Sequence, residues 1–392
     1  MKNVLFRSTV SVIFAAVFLS GCTLRGRSPQ NATPESPIVE LASGSGQWTG
    51  VAISKSGRVF VNYPRWRDGV VVSVAELMSD GRIRPFPSES WNGTDWRKNP
   101  KNRFVAVQSV YLDPSNRLWI LDSGNPQFSG VVEGAPKLLS VELGSERVAR
   151  VYRFPKGTVL PESYLNDVRV DPVRNVAYIS DSGAGALLVV DLKSGSVRRL
   201  LSDHPSTQAE ETDVIVEGVP WRVNGEQRKV HVDGIALNPK GTMLYFQALT
   251  GRTLYRVPAE ALRDRKLSSK QLAKKVEAFL PTFPADGMIF GGDGKLYLSS
   301  LEDSSVKRVS ADKSIETVAK DPRLSWPDSF GISSRGTIVV TTTRIHEGDS
   351  PTGPYQILEL KGIGMAPPAE KVESAADQVS AAPGKRTKKR RG

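Results

Sequence analysis

Three carboxylates recur at the same position of a repeated sequence pattern, each directly before a short apolar strand. They are Asp233, Asp286 and Asp328, and Asn166 holds this position in an earlier copy. A buried, unpaired carboxylate is costly, so each side chain needs water, a hydrogen-bond donor or a cation. Converging carboxylates can act as general acid and base, and carboxylate and amide oxygens are ligands that Ca²⁺ prefers. The pattern therefore predicts a polar ligand or metal site, provided that the fold brings the copies together.

The pattern occurs six times without a gap inside the motif. Each copy has a polar residue, a short apolar strand, a turn and a second apolar strand, as in "DGIALNPKGTMLYF". The leading residues are Thr49, Gln108, Asn166, Asp233, Asp286 and Asp328. Eight positions further on, where the turn falls, stand Gly57, Asn116, Arg174, Gly241, Gly294 and Gly336. The intervals between copies leave room for two more strands per unit, and the longest one separates Asn166 from Asp233.

Short apolar runs at this spacing, separated by Gly, Pro, Asp and Asn, predict an all-β protein with six four-stranded units. We expect a six-bladed β-propeller over residues 41–363. Only residues 259–280 show a convincing helical pattern. The strand after each leading residue should be the innermost strand of its blade. The six leading side chains are then expected to form a ring at one mouth of the central channel.

This ring supplies the candidate site residues. We expect Asp233 and Asp286 to act as general acid or base, with His231 as a further group that titrates near neutral pH. Ligand contacts are expected from Thr49, Gln108, Asn166 and Asp328. Facing carboxylates raise one another's pKa unless a cation intervenes, so Ca²⁺ held by Asn166, Asp233 and Asp286 is the candidate cofactor. Two alternatives stay open: these side chains cap strand-entry turns through local hydrogen bonds, and His231 is a surface-loop histidine.

Tryptophans near the predicted loops are a second source of ligand contacts. Trp66, Trp91, Trp96 and Trp326 could line a pocket, or they could pack between blades. The sequence has no GxSxG, HExxH or CxxC motif. The run "GGDGK" at residues 291–295 lacks the spacing of a phosphate-binding loop and is predicted to be the hairpin turn of the fifth copy.

Several segments resemble the Yellow/major royal jelly protein family, which includes insect dopachrome-converting enzymes and bacterial relatives. They are "RFVAVQSVYLDPSNRLWILDSGN", "YLNDVRVDPVRNVAYISDSGAGALLVVDL", "LYFQALTGRTLYRVPAEALRD" and "WPDSFGISSRGTIVVTTTRI". The resemblance extends over residues 45–360. It implies a propeller that binds, and in some members isomerises, a small metabolite at the channel mouth. The cysteines that form disulfides in the secreted insect members are absent from this chain.

A more distant resemblance is to the gluconolactonase-like calcium propellers. The segments around Asn166, "VDGIALNPKGTMLYFQALTGRTLYRV" and "ADGMIFGGDGKLYLSS" carry it. It implies that Asn166 is a metal ligand, that Asp286 matches the aspartate before a blade, and that Asp233 stands where a second asparagine is common. The first-blade glutamate of that family is replaced by Trp48-Thr49-Gly50. A calcium-dependent lactone hydrolase is therefore an alternative function, and a non-catalytic binding platform in the cell envelope is another.

The N-terminal residues resemble a bacterial lipoprotein signal. "MKNVLFRSTVSVIFAAVFLSGC" has a basic start, an apolar run too short to span a bilayer, and small residues before Cys22. Cys22 is the only cysteine in the chain, which excludes an intrachain disulfide. We expect residues 1–21 to be a signal peptide, Cys22 to carry the lipid, and residues 22–40 to be a flexible tether. Thr23 favours export to the outer membrane, facing the periplasm.

The chain has a formal net charge of +12, and two thirds of it lies near the two ends. Residues 364–392 are poor in apolar side chains and rich in Lys and Arg, so they are expected to be a disordered basic tail. The tail either contacts anionic lipid or an anionic envelope polymer, or serves only solubility. Because the charge does not lie on a folded face, no nucleic-acid partner is expected.

Overall fold

The computed structural model describes residues 37–366. The predicted signal peptide, Cys22, most of the tether and the basic tail beyond residue 366 lie outside the described part. Within it, six four-stranded antiparallel sheets are arranged in a ring. The predicted all-β class and six-bladed propeller are thus confirmed. None of the helices among residues 37–366 is long and apolar enough to cross a membrane.

The first described strand, β1 (Ile38–Gly44), belongs to the last blade, and the next five blades each use four consecutive strands. Blade 1 contains β2 (Val51–Ile53), β3 (Val59–Asn62), β4 (Val74–Leu77) and β5 (Ile83–Pro85). Blade 2 contains β6 (Val107–Leu112), β7 (Arg117–Asp122), β8 (Lys137–Glu142) and β9 (Arg147–Arg153). Blade 3 contains β10 (Leu165–Asp171), β11 (Val176–Asp181), β12 (Ala186–Asp191) and β13 (Val197–Leu200).

Between blades 3 and 4 the chain forms two small hairpins, which we call the blade 3–4 insertion (residues 214–230). Its strands are β14 (Ile215–Val216), β15 (Val219–Pro220), β16 (Arg222–Val223) and β17 (Glu226–Gln227). Blade 4 contains β18 (Val232–Leu237), β19 (Met243–Ala248), β20 (Thr253–Pro258) and β21 (Glu277–Pro281). Blade 5 contains β22 (Met288–Phe290), β23 (Leu296–Ser300), β24 (Ser305–Val309) and β25 (Ile315–Lys320).

Blade 6 closes the ring by combining both ends of the domain. It contains β26 (Pro327–Ile332), β27 (Ile338–Thr342), β28 (Tyr355–Leu360) and β1, which pairs with β28 from Ile38↔Leu360 onward. The strand begins at Ile38, within the segment assigned above to the tether. Only Ile38 of the seven β1 residues is buried, because the strand lies at the edge of its sheet. Its sequence therefore lacks the apolar pattern that marks the inner strands.

The predicted helix over residues 259–280 is only partly correct. Two short α-helices form there, α1 (Ala259–Arg263) and α2 (Ser269–Ala273), and Ser268 caps α2 through a capping box with Gln271. The end of the stretch is strand β21, because pairing with β20 completes blade 4. Three 3₁₀ turns complete the regular structure, at Pro126–Phe128, Pro205–Thr207 and Ile345–Glu347.

Apolar side chains pack between the faces of neighbouring blades. Tyr178 of blade 3 and Phe246 of blade 4 share one buried cluster, and Phe60 of blade 1 and Ile120 of blade 2 share another. Burying each such side chain contributes about 1.5–3 kcal/mol. The first strands of adjacent blades lie against one another around the axis. This packing brings the starts of β6, β10, β18 and β26 to one end of the channel.

The inner hairpins turn as expected, with one exception. The turn residue has positive φ in five copies, which are those with Gly57, Asn116, Gly241, Gly294 and Gly336. In blade 3 the positive φ of 54° belongs to Asn175, not to Arg174. The turn residue of blade 3 therefore lies one position later than the gap-free repeat predicts. The run "GGDGK" does form the hairpin turn between β22 and β23.

Candidate functional site

Five of the six leading residues line one cavity of about 210 Å³ at the channel mouth, and these are Gln108, Asn166, Asp233, Asp286 and Asp328. Thr49 does not line it. Its side chain is fully buried, and its hydroxyl donates to the backbone carbonyl of Gln108 over 2.9 Å and accepts a hydrogen bond from the Asn62 amide. Thr49 therefore joins blades 1 and 2, where the sequence suggested a ligand contact.

A β-bulge at the start of the inner strand sets the direction of the leading side chain in four blades. The strand register shifts next to Gln108, Asn166, Asp233 and Asp328. An extra residue in one strand bends it and redirects a side chain, and such bulges often adjoin functional sites. The sequence pattern alone does not specify the bulge, because the inner strands that follow Thr49 and Asp286 pair without a register shift.

Hydroxyl groups from the second strand of a blade hold the backbone at the start of the inner strands. Ser180 accepts a hydrogen bond from the Asp167 amide and donates to the carbonyl of Asp233 in the next blade over 2.5 Å. Ser299 accepts from the backbone N–H groups of Asp286 and Gly287. Each hydroxyl satisfies backbone groups that would otherwise lack a partner at the start of an inner strand. The aspartates thus lie on a rigid support.

The three aspartates are buried together. The side chains of Asp233, Asp286 and Asp328 are only 5%, 7% and 3% exposed. Burial is the largest cause that raises their pKa values, and the neighbouring carboxylates, including Asp167, raise them further. The pKa of Asp286 rises to about 7, and those of Asp233 and Asp328 rise well above the ordinary range. Burial and mutual repulsion therefore favour the protonated form of all three carboxyl groups, and the pKa of Asp286 lies close to neutral pH.

Donors reach two of these carboxyl groups from other blades. The Asn166 amide is hydrogen-bonded to Oδ1 of Asp233. The indole N–H of Trp326 donates to Oδ2 of Asp286 over 2.7 Å, and this bond lowers the pKa of Asp286 against the effect of burial. The two carboxyl groups are thereby placed in different environments. In a pair of carboxyl groups, different environments give different pKa values, so that one group can act as the acid and the other as the base.

Trp326 is held in a strained conformation. Its φ is +53° and its side chain is fully buried. This backbone conformation costs a bulky residue about 1–3 kcal/mol and persists only where the surroundings impose it. His346 stacks on the indole at 5.8 Å between ring centroids, and Trp221 of the blade 3–4 insertion packs edge-on at 4.8 Å. Strain of this kind is concentrated at functional sites.

Aromatic residues form another part of the cavity lining, which we call the aromatic wall (Trp66, Phe128 and Tyr164). The indole N–H of Trp66 donates to the Tyr164 hydroxyl over 2.6 Å, and that hydroxyl donates to Oε1 of Gln108 over 2.8 Å. Phe128 stacks on Tyr164 with ring centroids 4.8 Å apart. Burial raises the pKa of Tyr164, so its hydroxyl stays protonated at neutral pH. A planar ligand in this cavity can therefore contact both aromatic rings and carboxyl groups.

An arginine crosses the channel between two blades. Arg169 donates from Nη2 to Asp167 over 3.1 Å and to the Met288 carbonyl of blade 5 over 2.8 Å, and its guanidinium lies over the Tyr111 ring. The ion pair with Asp167 places a cation near the aspartate cluster, and within residues 37–366 Arg169 forms no hydrogen bond with Asp233 or Asp286. It links the inner strands of blades 3 and 5.

Three aromatic or titratable candidates lie away from the cavity. Nδ1 of His231 accepts a hydrogen bond from the Ala209 amide over 3.0 Å, burial lowers its pKa, and the residue is not part of the cavity lining. Trp91 packs on Phe104, and Trp96 packs in a small cluster with neighbouring apolar residues. The structure thus brings Trp66 and Trp326 into the lining and leaves His231, Trp91 and Trp96 outside it.

A larger groove of about 750 Å³ adjoins the cavity. Both are lined by Phe128, Tyr164, Ser182, Val223, Arg228 and Val230. The blade 3–4 insertion provides one side of this groove. Sequence reasoning missed Tyr164, Trp221 and Arg228. The unusually long interval between Asn166 and Asp233 was the available signal that an insertion lay beside the ring.

The oxygen donors of Asn166, Asp233 and Asp286 are of the type that Ca²⁺ prefers. In residues 37–366, however, no three acidic, histidine or cysteine side chains are arranged closely enough to ligate a single metal ion. Two donor atoms are already engaged, because Asp286 accepts from Trp326 and Asp233 is bonded to the Asn166 amide. The donor chemistry fits a hard cation, and binding one would require these hydrogen bonds to rearrange.

Sequence comparison relates this chain to one family. The model of the family "Major royal jelly protein" matches residues 105–349. Major royal jelly protein 6 of Apis mellifera is 24% identical over 255 residues, which is 61% of this chain and 55% of that protein. Protein yellow of Drosophila yakuba is 25% identical over 254 residues, 59% of this chain and 46% of that protein. The chain thus matches about half the length of these relatives.

Solved structures with a similar fold are more distant in sequence. A calcium-binding regucalcin from Agrobacterium tumefaciens has a TM-score of 0.50 at 15% identity, over 81% of this chain and 90% of that chain. A gluconolactonase from Xanthomonas campestris has a TM-score of 0.50 at 12% identity, over 82% and 89%. At such identities the similarity establishes the propeller fold alone.

Proposed function

The chain belongs to the major royal jelly protein family, and from that premise we propose that it binds a small aromatic metabolite at the channel mouth and isomerises it as a dopachrome-type substrate. The observation that supports this most is the pair of buried carboxyl groups, Asp233 and Asp286, of which only Asp286 accepts the Trp326 indole N–H. The aromatic wall of the same cavity suits a planar ring.

The proposed reaction is a proton transfer that needs no oxidant. A base removes a proton from a ring carbon and an acid delivers one to the quinone oxygen, so one C–H bond breaks and one O–H bond forms. Asp286, whose pKa of about 7 lies near neutral pH, is the proposed base. Asp233, whose pKa is raised by burial and by the neighbouring carboxylates, is the proposed acid. A general acid or base contributes about 10²–10⁴-fold to such a step.

The test is the loss of dopachrome colour with wild-type protein and with Asp286→Asn. We expect the variant to lose about 100-fold in rate. Asp80→Asn is the matched control, because Asp80 lies on an exposed turn and pairs only with Arg82. Colour loss at the wild-type rate in Asp286→Asn would exclude Asp286 as the base. Binding of the substrate without turnover by wild-type protein would instead favour the non-catalytic binding platform.

A calcium-dependent lactone hydrolase is the second candidate, supported by the convergence of three carboxyl groups and an amide in one cavity. Asn166, Asp233 and Asp286 would hold the ion, which would supply Lewis-acid polarisation of the lactone carbonyl. This function predicts a rise in melting temperature with CaCl₂ relative to EDTA that Asp286→Ala abolishes. No calcium shift, together with no lactone turnover, would remove this candidate.

We also propose that the protein is exported and lipid-anchored through Cys22 in the bacterial cell envelope, at the periplasmic face of the outer membrane. The lipoprotein-like signal before Cys22 supports this. The basic tail of residues 364–392 is proposed to contact anionic lipid or an anionic envelope polymer. Fatty-acid labelling and membrane fractionation of the full chain should give a labelled membrane protein. Cys22→Ser should give an unlabelled protein that is released.

A further inference from the structure

Arg228 lies where the 210 Å³ cavity at the channel mouth (the inner cavity) meets the adjoining 750 Å³ groove (the outer groove). It lines both spaces and belongs to the blade 3–4 insertion. Its guanidinium is half-buried and lies over the Phe128 ring, 5.0 Å from the ring centroid. Stacking on an aromatic face fixes the plane of the guanidinium while leaving its N–H donors free to bind a ligand. Arg228 is thus positioned by Phe128, and its donors are available at the entrance.

The charge pattern around Arg228 is unusual. Arg228 is the only basic side chain among the residues that line the inner cavity, where Asp233, Asp286 and Asp328 provide the acidic groups. Within residues 37–366 its guanidinium forms no ion pair or hydrogen bond, and it stacks on the Phe128 ring. By contrast, Arg222 of the same insertion is paired with Asp213. A half-buried guanidinium without an anion is a ready partner for a ligand carboxylate, which it can bind through two parallel hydrogen bonds.

We propose that Arg228 binds the carboxylate of the ligand, and that the ligand class is an aromatic α-amino acid or a cyclised derivative that keeps its carboxylate. This inference rests on the proposed function, because it assigns a ligand to the same cavity. The ring lies against the aromatic wall, the nitrogen faces the aspartates, and the carboxylate faces Arg228. An amine with the same ring but without the carboxylate leaves the guanidinium unpaired. We therefore expect the amine to bind less tightly than the amino acid.

The test compares an amino acid with its own amine, so that only the carboxylate differs. L-tryptophan with tryptamine, and L-dopa with dopamine, are titrated calorimetrically into the wild-type chain, Arg228→Gln and Arg222→Gln. The wild type should bind each amino acid at least about 10-fold more tightly than its amine, as expected for loss of a charge-assisted hydrogen bond. Arg228→Gln should reduce this preference to less than about 2-fold while amine affinity stays unchanged. Arg222→Gln, which removes a charge from the same insertion outside both linings, should behave as wild type.

The outcomes separate this inference from the function on which it rests. Binding of amines and amino acids with equal affinity, or an unchanged preference in Arg228→Gln, would overturn the role of Arg228 and leave the cavity as a ligand site. Absence of binding for all four compounds would overturn the proposed function and this inference together. If Arg228→Gln weakened amines and amino acids equally, the residue would act through the structure of the insertion, and the carboxylate assignment would be wrong.

Discussion

Nε1 of Trp326 lies 2.7 Å from Oδ2 of Asp286, although Trp326 stands at the entry to blade 6 and Asp286 at the entry to blade 5. The indole is fully buried and its backbone has positive φ. The hydrogen bond stabilises the ionised form of a carboxyl group that burial would otherwise keep protonated. This contact between two blades therefore lowers the pKa of one carboxyl group of the cluster, Asp286, against the effect of burial.

Replacing Trp326 by Phe should raise the pKa of Asp286. The ring is kept, but the donor that favours the carboxylate is lost, so ionisation moves to higher pH. We expect the acidic limb of the pH–rate profile to move up by about one pH unit, since one unit corresponds to the energy of a single hydrogen bond. Tyr297→Phe, at the opposite end of blade 5, is a suitable control because its hydroxyl bonds to Asp293, remote from the cavity. An unshifted profile in Trp326→Phe would show that this bond does not govern ionisation.

The stability of the fold should decrease as the pH rises from about 4 to about 7. Asp286 has its pKa raised from 3.8 to about 7 in the folded protein, and the pKa values of Asp233 and Asp328 are raised well above 3.8. The folded protein therefore binds more protons than the unfolded chain in this range. The stabilisation is complete below the unfolded pKa and is lost as the pH approaches the folded pKa.

This pH dependence can be measured from melting temperatures between pH 4.5 and pH 8. Carboxyl groups with lowered pKa, such as Glu76 and Asp321, give the opposite slope, but only near and below their ordinary pKa values. Asp286→Asn should flatten the curve because the amide does not titrate. A wild-type curve without any fall between pH 5 and pH 7 would contradict the raised pKa values.

Gly234→Ala should disturb the site as well as the fold. A Cβ at this position would lie 2.2 Å from the backbone carbonyl oxygen of Asp286, so the inner strands of blades 4 and 5 would have to separate. We expect a loss of about 1–3 kcal/mol in the free energy of unfolding, as for other overpacked positions, and weaker ligand binding. Gly144→Ala is the control, because a Cβ there meets no atom within 4 Å. Equal stability of the two variants would refute the close approach.

Lys137→Met should destabilise blade 2 strongly. The ammonium group is fully buried, donates to Asp122 over 2.8 Å and also to the carbonyls of Pro100 and Ala135. Removing it leaves the buried Asp122 carboxylate with backbone donors only, which costs about 3–5 kcal/mol in the free energy of unfolding. Urea denaturation measures this change, and Lys98→Met, an exposed lysine, is the comparison. A loss below about 1 kcal/mol would mean that the Asp122 charge is compensated by its backbone N–H bonds alone.

Particular residues show which features of the site the sequence could predict and which it could not. Asp233, Asp286 and Asp328 could be placed on one ring because a repeat with a constant internal register imposes the same position on each copy. Thr49 has that position too, yet its hydroxyl bonds to the neighbouring blade. His231 lies two residues from Asp233 in sequence, but the bulge in β18 and the bond from Ala209 keep its ring out of the lining. Local pattern therefore predicted position in the blade, while the contact made by each side chain depended on its neighbours.

The amino-acid sequence alone determined the propeller, the number of blades and the ring of polar side chains, because strand length, alternation and turn residues act locally and repeat along the chain. Only the tertiary structure decided which residues complete the site. Trp326, Tyr164 and Arg228 come from different blades or from an insertion, and they meet because closure of the ring by β1 and β28 packs all six sheets around one axis. The raised pKa values of the aspartates depend on the same closure, since burial and mutual repulsion arise only when distant segments converge.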